Sequence, residues 1–200
     1  AMYRAKDAGR SRLEVFDEAM RLWVTERYDM EAALRHAIEN DELWVAYQPS
    51  LDLVTGEWTI VEALARWDRA DVGAVPPSRF IPLAEETGLI DALGELMLRK
   101  ACEQVAHWNW KRRGREPLSI AVNVSGRQLT KPGLVEMVTG VLESTNVEPT
   151  WLVLEITESA LVEDPERAGS RLRELSDLGI RIAIDDFGTG YSGLAYLQQF

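Results

Sequence analysis

The chain has little of what several protein classes require. One cysteine, Cys102, stands in 200 residues, so no disulfide can close within the chain. That usage fits the reducing cytoplasm, and a small core residue on a helix is the ordinary place for such a thiol. Two histidines, His36 and His107, both in helix-like stretches, are too few for a histidine-built metal centre. No apolar run approaches the ~20 residues of a membrane-spanning helix. The opening AMYRAKDAGRSR also lacks the apolar stretch of a signal peptide. Basic residues are outnumbered 33 to 22, for a net charge of −11. A protein that grips a nucleic-acid backbone needs a basic face, so general DNA or RNA binding is not expected. A small anionic ligand remains admissible, because bound cations reverse the local field. Internal repeats and low-complexity tracts are missing as well.

What is present is a core-forming composition, 46% hydrophobic, sufficient for one large domain. Residues 1–16 suggest a short basic helix and then a strand-like RLEVF, too little for a domain. Residues 17–40 carry a helical stripe, Leu22, Met30, Ala33, Leu34, Ala37 and Ile38, with Asp29 placed to cap its second part. Two strands around a Thr-Gly turn follow in ELWVAYQPSLDLVTGEWTIVEALARW. Residues 71–79, DVGAVPPSR, have the composition of a loop. A long amphipathic helix is expected over 89–113, with Ile90, Leu93, Met97, Ala101, Val105 and Trp108 on one face and Gly114 as its stop. Beyond it the pattern alternates: strand LSIAVNVS, helix 133–144, strand WLVLEIT, helix 165–178 capped by Asp164, strand IRIAID. Strand–helix–strand units of this kind predict parallel strands joined by right-handed crossovers, an α/β fold. The seven tryptophans mostly sit in strand or helix patterns, where core packing is their ordinary use; Trp67 is singled out as able to stack on a ligand base.

Polar residues compatible with metal recur at or near the C-terminal ends of the strands: Glu62, Asn123, Glu155, and the adjacent pair Asp185 and Asp186. Each follows an apolar run, and the corresponding rim of an α/β barrel is where active sites are built. Each has an ordinary explanation. Glu62 could pair with Arg66 on the same strand face, Asn123 could satisfy loop backbone, and Asp185 could cap a turn. Their recurrence on successive strands favours a shared purpose. Carboxylates and a carboxamide are hard oxygen donors suited to Mg²⁺ or Mn²⁺. Two adjacent aspartates can serve two cations, and two such ions ~3.5–4 Å apart form a clamp for in-line phosphoryl displacement.

The motifs then resemble a known family. YQPSLDLVTGEWTIVEALARW, with the tripeptide Glu62-Ala63-Leu64, is similar to the opening signature of EAL domains, phosphodiesterases of the bacterial messenger cyclic di-GMP. FIPLAEETGLI (80–90), AVNVSGRQL (121–129), LEITES (154–159) and IDDFGTGYSGLAYL (184–197) continue the likeness in order across 42–200. Residues 1–16 resemble the last helix and strand of a GGDEF domain. The resemblance divides the chain into that tail, a helical linker with the first EAL helix (17–40), and a partial EAL domain (41–200). It implies a (β/α)8 TIM-type barrel, about five strands of which are covered, and hydrolysis of cyclic di-GMP to linear 5′-pGpG with Mg²⁺ or Mn²⁺ in a two-metal site.

Carried over by motif, the metal ligands are Glu62, Asn123, Glu155, Asp185 and Asp186, of which Glu62, Asp185 and Asp186 are catalytic and Asp185 bridges two ions. Gln48, Leu64 and Arg66 contact the substrate. Glu158 holds the loop that begins at Phe187, which in the family bears on metal binding and on assembly as a homodimer. Some EAL domains bind the messenger without cutting it, so a regulatory binding module is the alternative. Ser50 departs from the family, which has an apolar residue there. The family's later motifs, with a lysine that readies the attacking water, a further glutamate and a glutamine, lie beyond Phe200. The 200 residues alone are therefore expected to be inactive and to associate through an exposed strand edge. The expected location is cytoplasmic, with an upstream membrane anchor compatible with the family.

Overall fold

The computed structural model describes residues 18–112 and 114–185. Residues 1–17, the supposed GGDEF tail among them, and residues 186–200, including Asp186 and the loop from Phe187, lie outside the described residues. The chain enters through one continuous helix, α1 (Glu18–Glu39). No glycine or proline interrupts it, so Asp29 lies inside a helical turn and is not a cap. Its stripe is buried where it meets the domain, with Leu34 and Ala37 at 0% exposure, and thins out toward Leu22.

Strands β1 (Leu43–Leu51) and β2 (Trp58–Arg69) form the expected antiparallel hairpin. Its turn is shaped by Asp52, whose carboxylate accepts the backbone N–H of Val54 at 2.8 Å and of Thr55 at 2.7 Å. Those two bonds hold the Asp52 carboxyl below the usual range. Gly56 closes the turn at φ +70°, a left-handed conformation that glycine adopts without strain.

The stretch expected as a loop, 71–79, is more ordered than its composition suggests. Strand β3 (Gly73–Val75) pairs antiparallel with the end of β2, and helix α2 (Pro77–Thr87) begins directly afterwards. The reason is local. The last residues of β2 extend beyond its parallel neighbour and need another partner, and Pro77 pre-sets the first helical φ.

The expected strands and long helices follow in order, with ends shifted by one or two residues, and two short helices, α4 and α6, join them unexpectedly: α3 (Ile90–Lys111), β4 (Ser119–Asn123), α4 (Gly126–Thr130), α5 (Leu134–Thr145), β5 (Leu152–Thr157), α6 (Glu158–Glu163), α7 (Pro165–Asp177) and β6 (Arg181–Asp185). Asp164 caps α7 as expected, accepting the backbone N–H of Arg167 at 3.2 Å. The sheet runs β1-β2-β4-β5-β6, parallel from β2 onward, with β3 attached to β2. Helices lie against one of its faces. There Val61, Ala63, Ile120, Val122, Leu152, Leu154 and Ile156 pack with Leu98, Cys102, Val105, Val138 and Leu175. Cys102 is fully buried, and burial pushes its thiol up to about 12, as an inert core residue requires. A second apolar cluster joins α1, β2, α2 and α3 around Leu34, Phe80 and Leu93. It contains Trp67, 1% exposed and set edge-on to Phe80 with ring centres 5.8 Å apart. Trp67 is therefore core, which overturns its reading as a base-stacking residue. Trp44, Trp58 and Trp110, by contrast, are 46%, 50% and 60% exposed. No helix among the described residues is long and apolar enough to cross a membrane.

Candidate active site

In a strand, successive side chains point to opposite faces. Because Val61, Ala63, Ile120, Val122, Leu154 and Ile156 face the helices, Glu62, Leu64, Asn123 and Glu155 take the other face. Register extends the set. Gln48 stands opposite Glu62 and Trp44 opposite Arg66 across the hairpin, Asn123 stands opposite Glu155, and Thr157 stands opposite Asp185. Seven of the residues expected to be functional, Gln48, Glu62, Leu64, Arg66, Asn123, Glu155 and Asp185, thus share the face that, among the described residues, is free of helices.

They also share a height. Glu62 is opposite Ala121, two residues before Asn123. Asn123 and Glu155 are level. Glu155 is opposite Ala183, two residues before Asp185. A stagger that climbs from strand to strand is the signature of tilted barrel strands, whose shear keeps such residues at one level of the mouth. Glu62 differs from expectation in one respect: it is the fifth residue of a twelve-residue strand and not near its end. The parallel pairing of β2 with β4 stops at Ala63, however, and the rest of β2 pairs antiparallel beyond it. Measured against the parallel sheet, Glu62 is at the rim.

The side chains interact across that rim. Asn123 Nδ2 donates to Glu62 Oε1 at 3.1 Å. Half-buried Glu155 has its carboxyl pushed up to about 7, first by burial and then by the negative charges of Glu62 and Asp185. Arg66 folds back to donate from Nη1 to the Ala65 carbonyl at 2.9 Å, which sets aside the expected alternative of an ion pair with Glu62. Asp185 closes β6, and Glu158 is buried at 6% exposure where α6 begins.

Among the described residues, no group of three or more His, Cys, Asp or Glu side chains is gathered closely enough to hold a metal ion. The donor chemistry nonetheless fits a hard divalent cation. Three carboxylates and a carboxamide share one face and one level of the rim, and a cation among them would offset the burial and the negative charge that raise Glu155.

Beside the rim lies a cavity of about 320 Å³, lined by Leu64, Arg66 and Asn123 on the sheet side and by Ile90, Gly94 and Met97 of α3. Pro77, Ile81 and Glu85 of α2 and the turn after β4 complete the wall. There Ser125 and Gln128 form a capping box: Gln128 N–H donates to Ser125 Oγ at 3.3 Å, and Ser125 N–H donates to Gln128 Oε1 at 3.1 Å. Arg127 donates to the Glu85 carbonyl at 2.5 Å, and Lys131 pairs with Asp91, so α4 is tied to both α2 and α3. Neither Ser125 nor Gln128 was assigned a role from sequence, although Ser-Gly-Arg-Gln carries the spacing of a capping box.

Comparison with known proteins places these observations. A family profile described as EAL domain matches residues 31–200. An uncharacterized signaling protein of Caulobacter vibrioides is 48% identical over the whole chain, which covers 24% of that protein. The bifunctional diguanylate cyclase/cyclic di-GMP phosphodiesterase MucR of Pseudomonas aeruginosa is 41% identical over 100% of the chain and 29% of its own length. The chain thus spans about a quarter of the length of these curated relatives. Among solved structures, the PaMucR phosphodiesterase in complex with c-di-GMP superposes with a TM-score of 0.79 at 41% identity, covering 86% of this chain and 69% of that one.

Proposed function

Because the chain belongs to the EAL domain family, we propose that it supplies the metal- and substrate-holding part of a phosphodiesterase that hydrolyses cyclic di-GMP to linear 5′-pGpG. One observation carries the reading: Glu62, Asn123, Glu155 and Asp185 stand at one level on the helix-free face, beside a cavity bordered by Leu64 and Arg66. A product with a 5′-phosphate means that water adds to phosphorus while the P–O3′ bond breaks, and O3′ leaves with a proton. Glu62, Asn123, Glu155, Asp185 and Asp186 would hold Mg²⁺ or Mn²⁺ in a two-metal site, and the bound ions would supply charge neutralisation at the phosphate. Arg66, released from Ala65, offers its planar fork to a phosphate oxygen pair. Leu64 presents apolar surface to the ligand, and Gln48, across the hairpin from Glu62, presents a carboxamide. Glu158 would anchor the segment from Phe187, through which a homodimer would form. Residues 1–16 are assigned to the end of a GGDEF module.

A family member that only binds the messenger is expected to have lost donors from this rim, and none of the four described donors is lost. The test is chromatographic detection of pGpG from cyclic di-GMP by the intact protein with Mn²⁺ or Mg²⁺. Turnover that disappears on chelation supports the assignment. Tight binding of cyclic di-GMP with no turnover in either metal would replace it with the regulatory reading.

A further inference from the structure

Two features of the cavity wall have no role in the function proposed above, and each explains the other. The first is Gly94, in the middle of the 22-residue helix α3. Glycine is unfavourable inside a helix. Gly94 does not have a positive φ, so backbone conformation does not demand it. Space does. A Cβ at this position would overlap Gln128 Nε2 and stand 3.1 Å from Gln128 Cδ, so the carboxamide would have to shift. Gly140, inside α5, shows the contrast: a Cβ there would meet nothing within 4 Å.

The second feature is the burial of Gln128, 5% exposed. Its carboxamide lies against the Gly94 backbone while its Oε1 holds the Ser125 N–H, two residues past Asn123. Between them, the Val124 N–H donates to the Glu155 carbonyl at 2.8 Å. Both residues that follow Asn123 are therefore held, the first by β5 and the second by Gln128. Gly94, Asn123, Ser125 and Gln128 all line the one cavity.

We propose that Gln128 is a positioning residue for Asn123, locked in place by the missing side chain at Gly94. The lock sets the exit angle of the chain from β4, and with it the reach of the Asn123 carboxamide toward Glu62. The inference rests on the reading of Asn123 as a metal ligand.

The test uses the intact protein and Mn²⁺ alone, with free Mn²⁺ followed by its electron paramagnetic resonance signal. Gly94→Ala is expected to weaken Mn²⁺ binding ~10-fold, the scale on which groups supporting a metal ligand act. Gln128→Ala should do the same, with turnover at saturating Mn²⁺ near that of the parent. The double variant G94A/Q128A should match Gln128→Ala, because the clash is with the glutamine. A double variant weaker than Gln128→Ala by a further ~10-fold would show that Gly94 acts through its own backbone, and would overturn the lock. Should Gly94→Ala fail to fold, Gln128→Ala decides alone, and unchanged Mn²⁺ affinity overturns the proposal. Asn123→Ala separates the two readings. Unchanged Mn²⁺ affinity in that variant removes both, whereas weakened affinity alongside a normal Gln128→Ala removes only the lock.

Discussion

The same strands present two unlike faces. On the helix side, Ile120, Val122, Leu152, Leu154 and Ile156 form an apolar layer almost without exposure. On the other, one residue along, stand Asn123, Glu155 and Asp185, and there burial first, then the charges of Glu62 and Asp185, makes Glu155 resist ionisation. The first face is built for stability and tolerates little loss of volume. The second holds a half-buried carboxyl beside two others, which disfavours its charge, on a sheet anchored from behind. Stability and chemistry are separated by the thickness of one backbone.

That separation has measurable consequences. The largest concerns the oxygen-rich face. On the proposed function, Glu62→Ala in the intact protein should lower turnover of cyclic di-GMP by more than about 100-fold, since charge stabilisation through a bound metal is worth several kcal/mol. It should leave thermal stability without metal unchanged or raised. A variant that lost stability in parallel with activity would mean that the two faces are not independent.

Next is the apolar face. Leu154→Ala, at a position 1% exposed, should cost about 2–5 kcal/mol and lower Tm by on the order of 10 °C. Metal affinity in the fraction still folded should be retained, which titration below the new Tm would check.

The smallest effect is on pH dependence. A carboxyl raised to about 7 in the fold, from an ordinary 4.5, binds a proton more tightly folded than unfolded. Stability in the absence of metal should therefore fall as pH rises through the window from 4.5 to about 7. Glu155→Gln should flatten that decline, and so should saturating Mn²⁺. Differential scanning calorimetry of parent and variant at pH 5 and pH 8 measures it, and a decline equal in both would assign the pH dependence to other groups.

Much of this division could be read from the chain before any coordinates. The Val, Ile and Leu runs marked the buried strands, and acidic or amide residues after them marked the rim, because a polar side chain after an apolar run must leave the core. Motif likeness added Gln48, Leu64 and Arg66, and the structure sets all three on the face of Glu62. What composition could not show was pairing. Gly73–Val75 is a strand only because β2 overhangs its neighbour. Trp67 is core only because Phe80 and α1 meet it. The weight of Gln128 was hidden because its partner is an absence, the side chain that Gly94 lacks, and an absence 34 positions away leaves no pattern to find.

The climb of the donors from strand to strand constrains how such a chain can drift. Every step between donors is zero or two residues, an even number. A single codon gained or lost inside β4 or β5 would turn Asn123 or Glu155 into the greasy layer behind the sheet and bring a neighbouring valine, leucine or isoleucine out in its place. Lineages descended from this sequence can lengthen the turn between β1 and β2 more readily than the exit from β4, which Val124 and Ser125 hold. Within the strands themselves, length is as firmly prescribed as the identity of the residues proposed to hold metal.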